Sequence, residues 1–478
     1  MAGAKRSAKY LFVGGLFSKA VSFIGTIILA RILFPEDFGY LLSAMIIAGF
    51  IQMFGNVGFE NFYLQEKTNS KEEEEKILHI TYKLRLFVNL ILFALQWAVS
   101  YIAESYYSPV VGEMLRIFSF NILLMIPAQI NMYILRKKLD YRPEVYANVS
   151  RDIVATITKV LFAWSGFGAL SFALGAVLGN VVRTSVLLKY QSFKPNFSIK
   201  DRKIFEKIFF FGKHSFIGGI GMYLSTQVDK ILLINTFSQQ ISGYYYFANS
   251  QASTFINYVL QPQSSLLISY ASKYKREKYE LFKKLSNIGY LIALLIVPTY
   301  LYLFFYSDII FNILFNEKWI SSVLYFKIFL IYYIFVGVAF PFSGLLTSLG
   351  LPHIGSKLTI LRFIVLSLVL GIISLFNNIV YYIISFVTVD IIFIWIKVTI
   401  ALNKINISVF DYIITLFYMT IGLVFITVLS IYIINNLFDN GYEQMLYSFL
   451  CIAFFVIVSQ VTIYKKIFFD VFSIIKSR

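Results

Sequence analysis

Apolar runs of about 20 residues recur from one end of the chain to the other, and each is long enough to cross a lipid bilayer as a helix. Hydrophobic residues make up 58% of the 478 positions and charged residues only 14%. Charged residues normally account for about a quarter of a soluble protein. Because the polar stretches between the runs are short, the sequence predicts an all-α polytopic membrane protein without a separate soluble domain.

The apolar runs predict about fourteen transmembrane spans. The narrowest breaks are "GFG" (166–168), between the fifth and sixth spans, and "FNN" (376–378), between the eleventh and twelfth. The predicted spans are 9–33, 39–62, 78–103, 110–135, 145–165, 167–189, 208–235, 242–270, 285–306, 319–346, 356–376, 379–398, 409–435 and 443–464.

The connections between the spans differ in charge. Alternate loops such as "RKKLDYR" (136–142) and "SKYKREKYELFKK" (272–284) are rich in Lys and Arg, whereas intervening loops such as "PEDFG" (35–39) are not. About 29 of the 42 Lys and Arg residues lie on the first side and one, Lys318, on the other. This bias predicts that both termini are cytoplasmic, and it explains most of the net charge of +17 without a nucleic-acid partner. The basic start "MAGAKRSAKY" precedes too long an apolar run for a cleaved signal peptide, so we expect an uncleaved first span.

The residues of common catalytic and metal sites are sparse. The single cysteine, Cys451, excludes disulfides within the chain and a cluster of thiolate ligands. The three histidines lie in separate segments without metal-binding spacing. "GLPHIGSK" (350–357) ends in Ser-Lys where a phosphate-binding loop needs Lys-Ser or Lys-Thr. The sequence therefore predicts a membrane protein that is not an enzyme, with no cofactor and no metal.

Two segments about two hundred residues apart share an arrangement. "ILARILFPEDFGYLLSA" (28–44) and "VDKILLINTFSQQISGYYYFA" (228–248) each end a span, make a short outward turn and open the next span with Gly-Tyr. Five segments resemble, in order and spacing, the Wzx-type polysaccharide transporters: "SKAVSFIGTIILARILFPEDFGYL" (18–41), "NVGFENFYLQ" (56–65), "DKILLINTFSQQISGYYYFANSQ" (229–251), "VLQPQSSLLISYASK" (259–273) and "LTSLGLPHIGSK" (346–357). That family belongs to the multidrug/oligosaccharidyl-lipid/polysaccharide (MOP) flippase superfamily.

The resemblance implies a V-shaped protein of two six-helix lobes related by a pseudo-two-fold axis. The lobes would span 1–190 and 205–400, joined by a cytoplasmic linker at 191–204, with two peripheral helices and a tail at 401–478. Members of the family move lipid-linked oligosaccharides from the inner to the outer leaflet. The implied partners are therefore a lipid-linked oligosaccharide, membrane lipids, and the polymerase and glycosyltransferases that handle the same glycan.

Basic residues within the predicted spans are the candidate binding groups. Lys19 lies near the middle of "GGLFSKAVSFIG" (14–25), where an ammonium facing lipid costs about 3 kcal/mol. Lys159 is comparably deep, and neither lysine has an acidic residue three or four positions away. Arg151 and Arg183 lie about two turns inside their spans, and the neighbour of Arg151, Asp152, should point to a different side of the helix. We therefore expect these four side chains to face an aqueous lumen that receives the pyrophosphate of a lipid-linked glycan.

The second predicted lobe adds Lys230 and Lys327 to the candidate substrate-binding residues. Asp229 and Asp390 are candidates for binding a coupling cation or proton, and pairing of each with a nearby lysine is an equally open interpretation.

Other intramembrane features have simpler explanations. We expect Arg116 to pair with Glu113 on the same helix face, and "GAVLG" (175–179), Gly14, Gly15 and Gly25 to serve helix packing. Basic residues near span ends should extend to the lipid headgroups, and this group comprises Arg31, Lys83, Arg85, Lys213 and Arg362.

Two other functions compete with polysaccharide transport. A cation-coupled drug exporter of the same superfamily would favour acidic and aromatic residues in its lumen over surplus lysine. A membrane glycosyltransferase or polymerase uses the same substrates but usually needs a sizeable extramembrane loop, and the longest outward loop predicted here has about a dozen residues.

Overall fold

In a computed structural model of the chain, all regular elements of the described residues are helical, as the sequence predicts. The described residues are 2–55, 58–66, 70–199, 201–260, 267, 271 and 277–462. The predicted basic loop at 272–284 is described only from residue 277. The basic residues near the C-terminus, which belong to the predicted cytoplasmic side, lie outside the described residues: Lys465, Lys466, Lys476 and Arg478.

Fourteen helices of the described chain have at least 19 residues, and short helices at Phe59–Gln65 and Leu345–Ser348 and a 3-10 turn at Glu317–Ser322 accompany them. The long helices are α1 (Ala2–Ile32), α2 (Pro35–Met53), α3 (Lys71–Tyr106), α4 (Pro109–Lys137), α5 (Arg142–Trp164), α6 (Leu170–Tyr190), α7 (Arg202–Thr236), α8 (Gln239–Leu260), α9 (Lys278–Phe315), α10 (Val323–Ser343), α11 (Pro352–Ser374), α12 (Ile379–Lys404), α13 (Val409–Leu437) and α14 (Gly441–Thr462).

Ten segments of the described chain are long and apolar enough to span a membrane. The long helices outside this set are α2, α5, α7 and α8. The helix α5 carries Arg142, Arg151 and Lys159, and such charges lower its mean hydropathy. The polytopic all-α fold is therefore confirmed, and the number of fourteen membrane spans stays a prediction.

The two narrow breaks in the sequence do separate helices. Between α5 and α6, Gly166 and Gly168 have φ values of +88° and +52°, a conformation that glycine adopts without a steric penalty. Between α11 and α12, Asn377 has φ +49°, and the side chain of Asn378 accepts a hydrogen bond from the amide of Val380 at 3.0 Å. An Asn at this position caps the first turn of α12 and so fixes where the helix begins.

Two segments predicted as loops are helical instead. The run "EEEE" (72–75) lies in the first turns of α3, where the Ser70 side chain accepts a hydrogen bond from the amide of Glu73 at 3.2 Å. Glutamates stabilise a helix at this end because they oppose its dipole. The predicted outward loop 307–319 is mostly the last part of α9, which is 38 residues long, about 57 Å, and so exceeds the thickness of a bilayer.

The chain divides into two compact units, Met1–Gly243 and Tyr244–Arg478. In the first unit, α5 packs against both α1 and α6, and α4 packs against α3 and α6. In the second, α9 packs against α10 and α13, and α12 packs against α10 and α11. The boundary falls within α8 rather than in the 191–204 linker, and the predicted six-helix lobes stay a prediction.

The two repeated Gly-Tyr turns meet within the first unit. A Cβ on Gly39 would collide with the carbonyl oxygen of Gln239, and a Cβ on Gly243 would collide with the carbonyl oxygen of Pro35. Each glycine thus contacts the residue four positions before the other, which is a reciprocal arrangement. The first turns of α2 and α8 therefore pack backbone against backbone, and the Ser43 hydroxyl donates to Gln239 Oε1 at 3.0 Å beside this contact.

Candidate functional site

Glycines of α6 bring its backbone against the part of α5 that carries the candidate cations. A Cβ on Gly175 would overlap the side chain of Lys159 and come within 2.9 Å of the Ala155 carbonyl oxygen. A Cβ on Gly179 would lie 2.9 Å from the carbonyl oxygen of Arg151. The "GAVLG" segment is therefore a packing surface, as predicted, and Gly175 leaves room for the aliphatic part of Lys159.

Arg151 is neutralised, contrary to the sequence-based expectation. Its Nη2 lies 2.7 Å from Asp152 Oδ1, and its Nε donates to the same oxygen at 2.8 Å. Adjacent residues do point to different sides of a helix, but the arginine side chain is long enough to turn back to its neighbour. Arg151 retains 37% exposure of its side chain and Asp152 18%, so the ion pair lies at the edge of the packed interior.

Lys159 and Arg183 are the cations that Asp152 does not pair with directly. No hydrogen bond or ion pair joins the Lys159 ammonium to another residue in the described part of the chain. Arg183 places Nη2 3.5 Å from Met132 Sδ, and its buried Nε has no described partner. The charges of Arg151 and Asp152 act on both Lys159 and Arg183. Glu144, which pairs with Arg136, also acts on Arg183. Apart from that separate pair, Arg151, Lys159 and Arg183 have one carboxylate among them, which leaves a surplus of two positive charges.

Lys19 lies on α1, which packs along α5 through Gly14 and Gly25, two of the three glycines predicted to serve packing. The third prediction is wrong, because a Cβ on Gly15 would meet no atom within 4 Å. A Cβ on Gly14 would overlap Val145, and a Cβ on Gly25 would overlap Thr156. In both contacts the residue on α5 lies the same number of positions after the glycine on α1, so the two helices run side by side without a shift. The same offset puts Lys19 level with residue 150, next to Arg151. Its side chain is partly buried. The structure therefore places Lys19 at the depth of the Arg151–Asp152 pair.

Asp229 and Lys230 lie near the end of α7, within the first compact unit. Asp229 is only 2% exposed, and Lys230 Nζ is 3.6 Å from its Oδ2. The pairing interpretation that the sequence left open is the one found here. Their roles in substrate binding and cation coupling stay predictions.

In the second unit, Lys327 and Arg362 form ion pairs. Lys327 Nζ lies 2.6 Å from Asp308 Oδ2. Asp390, 5% exposed, binds the Arg362 guanidinium and accepts a hydrogen bond from the Tyr332 hydroxyl. The expectation that Arg362 extends to the headgroups is wrong, because its carboxylate partner lies on the neighbouring helix α12. Asp390 is paired, but with an arginine rather than the expected lysine.

Ion pairs also form where α4 meets α5, outside the apolar spans. Arg142 donates to both carboxylate oxygens of Asp140, at 2.9 and 3.0 Å, and this contact lowers the pKa of the Asp140 carboxyl. Arg136 binds Glu60 and Glu144. Arg136 and Arg142 at this end of the helices have carboxylate partners, whereas the group around Lys159 has a surplus of positive charge.

A family described as "Polysaccharide biosynthesis protein" (Polysacc_synt_3) matches residues 28–324, well over half of the chain. The chain belongs to this polysaccharide biosynthesis protein family. The matched region includes the whole group of Arg151, Lys159 and Arg183 and the Asp229–Lys230 pair. The resemblance to polysaccharide transporters found in the sequence is confirmed.

Relatives of this family member include the succinoglycan biosynthesis transport protein ExoT of Rhizobium meliloti (strain 1021), which is 22% identical over 300 residues. That match covers 63% of this chain and 60% of ExoT, so the aligned part spans less than two thirds of the relative. The lipid II flippase MurJ in an inward closed conformation has a TM-score of 0.71 at 17% identity, with 96% of this chain and 99% of that one covered. An inward-facing multidrug resistance MATE transporter of the MOP superfamily has a TM-score of 0.65 at 14% identity, covering 81% of this chain and 94% of that one. These similarities show that the family member has the MOP fold.

Three basic residues differ from their sequence-based interpretations. Arg85 does not extend to the headgroups, because it is only 7% exposed and donates to the Tyr133 hydroxyl at 2.6 Å. Arg116 pairs with Glu104 at 2.8 Å rather than with Glu113. Lys397, partly buried on α12 without an ion pair among the described residues, was missed because it lies near the end of a predicted span. The side chain of Lys213, another predicted headgroup contact, lies outside the described residues.

Proposed function

We propose that this protein is a flippase that moves an undecaprenyl-pyrophosphate-linked oligosaccharide from the inner to the outer leaflet of the bacterial inner membrane. It would do so by alternating access, for the synthesis of a surface polysaccharide, with both termini in the cytoplasm. Membership in the polysaccharide biosynthesis protein family supports this proposal, as does the MOP fold that it shares with a lipid II flippase.

The observation that carries the proposal is the surplus of positive charge around Lys159. A buried ammonium is tolerated when an opposite charge or water compensates it. Asp152 already pairs with Arg151, so a visiting anion is the natural partner of Lys159 and Arg183. A pyrophosphate carries several acceptor oxygens, and both lysine and arginine bind phosphate groups. Lys19, at the same depth on α1, would contribute to the same site.

The remaining candidate residues would assist binding and energy coupling. Lys230 and Lys327 each lie beside one carboxylate, so each would bind the substrate only by sharing or leaving that partner. Asp229 or Asp390 would take up a coupling cation or proton. For Asp390 this uptake competes with Arg362, which makes the Arg362–Asp390 pair the element that a coupling ion would have to open.

The test replaces Lys159 with Gln and, as the matched conservative change, with Arg. Lys159→Gln removes the positive charge but keeps a polar side chain of similar length beside Gly175. We expect it to abolish surface polysaccharide in cells that depend on this protein, while its amount in the membrane stays normal. Lys159→Arg should retain part of the export, because the charge remains.

Normal polysaccharide export by Lys159→Gln would contradict the proposal. The same cells can also distinguish the drug-exporter hypothesis, for which loss of the protein should increase drug susceptibility without changing the surface polysaccharide. If the protein were a polymerase, its loss would instead leave single repeat units that are exported but not joined. Analysis of both the lipid-linked intermediate and the surface glycan therefore separates the three functions.

A further inference from the structure

A cavity of about 200 Å³ lies inside the first unit among α2, α3 and α4, apart from the group around Lys159. Arg85, Asn89, Leu92 and Ile122 form its buried floor. Three residues with partly exposed side chains form the rim of this cavity: Gln52, Met125 and Gln129. Gly55 completes the wall. The cavity is thus lined by one guanidinium, three amide side chains and apolar groups.

The buried end of the cavity belongs to a polar face that runs along α3. Thr81, Arg85, Asn89 and Gln96 are all buried, and the first three are spaced four residues apart on one side of the helix. The guanidinium of Arg85 lies 5.8 Å from the ring centre of Phe59 and donates through Nη1 to the Tyr133 hydroxyl. These contacts fix the arginine at the cavity without a carboxylate partner among the described residues.

The lining of the cavity combines hydrogen-bond donors with acceptors. The Arg85 guanidinium offers donors, and the amides of Gln52 and Gln129 each offer both. Arg85 Nε and Gln129 Oε1 themselves are too buried to face the cavity and have no hydrogen-bond partner in the described structure. A phosphate would accept from the arginine but has no donor for the amide oxygens when fully ionised, and an ammonium would do the reverse. A hydroxyl group suits both, because it donates and accepts.

We propose that this cavity binds one sugar unit of the transported glycan through its hydroxyl groups. A pyranose carries several hydroxyls for Arg85, Gln52 and Gln129, and its C–H face suits the apolar side chains of Leu92 and Met125. The cavity volume is below the 300–1,000 Å³ typical of sites for drug-sized molecules, so the ligand should be smaller than these, as a single sugar unit is. Water molecules also donate and accept hydrogen bonds, and the experiment below distinguishes a cavity filled with water from one that binds a sugar. The inference rests on the proposed glycan transport and extends it to a second subsite.

Gly55 keeps the cavity open. A Cβ at this position would come within 3.0 Å of Leu92 Cδ1 and 3.5 Å of Asn89 Oδ1. A larger side chain at 55 would therefore occupy the space without changing the polar groups. This gives a second way to remove the subsite, independent of the amides.

The experiment uses the full-length protein in lipid nanodiscs and methyl glucoside, methyl galactoside and methyl glucuronide as probes, with binding detected by saturation-transfer NMR. Gln129→Met removes the amide at similar volume, and Gly55→Leu fills the cavity. Asn121→Leu is the control on the same helix, because Asn121 bonds Asn180 outside the cavity. We expect at least one glycoside to bind the wild type and Asn121→Leu equally, about fivefold more weakly to Gln129→Met, and not at all to Gly55→Leu.

Absence of glycoside binding, or equal binding to all variants, would overturn the inference and leave a cavity that holds water only. This outcome is separate from failure of the flippase proposal. If Lys159→Gln abolishes export while no glycoside signal depends on Gln129, the transport function stands and the sugar subsite falls. If glycosides bind as expected but Lys159→Gln exports normally, the pyrophosphate site falls and the sugar subsite stands.

Discussion

The contact between α5 and α6 predicts how the candidate site responds to a single added methyl group. In Gly175→Ala, the new Cβ would lie 2.9 Å from the Ala155 carbonyl oxygen, 3.0 Å from the Lys159 amide nitrogen and on top of the Lys159 side chain. Restoring an ordinary contact of 3.4 Å requires the backbone of α5 to recede by about 0.5 Å. Overpacking of this kind costs about 1–3 kcal/mol, against a gain of about 0.5–1 kcal/mol for Ala over Gly in a helix. We expect a net loss of about 1–2 kcal/mol in the free energy of unfolding.

The matched control is Gly371→Ala in α11, where a Cβ would meet no atom within 4 Å. This variant should be as stable as the wild type or slightly more so. Unfolding of both purified variants in mixed detergent micelles measures the difference, and export of polysaccharide in cells reports whether displacement of Lys159 also impairs transport. Equal stability of Gly175→Ala and Gly371→Ala would refute the close helix contact on which the site geometry depends.

Two further predictions concern the second unit and the reciprocal glycine contact. Asp390→Asn leaves the Arg362 guanidinium without its carboxylate, so it should lower the free energy of unfolding by about 3–5 kcal/mol. The double variant Arg362→Met/Asp390→Leu removes both charges and should recover most of this loss. If it does not, the unpaired arginine is not what destabilises Asp390→Asn. Gly39→Ala forces a side chain against the backbone of Gln239 and should cost more than 1 kcal/mol in the same assay; stability equal to that of the open-space control would show that the turns do not pack as described.

The sequence predicted the helices better than it predicted the partners of the charges. Helix ends at "GFG" and "FNN" follow from local chemistry, because glycine, and asparagine more readily than most residues, can adopt the positive φ that these turns require. Carboxylate partners depend on which helices pack together, and the rule of three or four positions detects only partners on the same helix. Arg362 pairs with Asp390 on another helix, and Arg116 pairs with Glu104 rather than with the expected Glu113.

Burial was equally difficult to predict from position along a span. Arg85 lies near enough to a span end to extend to the headgroups, but the Tyr133 hydroxyl holds it inside the first unit instead. Lys159 was predicted to have no acidic residue three or four positions away, and its ammonium has no ion pair among the described residues. Gly175 lets α6 pack directly over its stem. The missing partner on the same helix could be predicted from α5 alone, whereas the packing over the stem depends on α6 as well.

Asp152 offers the sharpest test of whether the surplus charge receives an anion. Its charge acts on both Lys159 and Arg183, and it pairs with Arg151. Glu144 also acts on Arg183 but is itself paired with Arg136. Asp152→Asn keeps the shape and removes the negative charge. The pair is neither fully exposed nor fully buried, so its loss should lower the free energy of unfolding by about 2 kcal/mol, between the values typical of exposed and buried pairs.

The same change should strengthen anion binding, because three cations would then act on the ligand without an internal competitor. An anion that binds the folded state stabilises it by RT ln(1 + [L]/Kd), so a tenfold lower Kd adds about 1.4 kcal/mol at saturating pyrophosphate. Pyrophosphate should therefore stabilise Asp152→Asn more than the wild type, measured against chloride at equal ionic strength. Asp308→Asn is the control, since it leaves a single cation, Lys327, outside this group and should gain no more than the wild type. Equal stabilisation of Asp152→Asn and the wild type would mean that the cations around Lys159 are compensated by something other than a bound anion, and the pyrophosphate site would have to be abandoned.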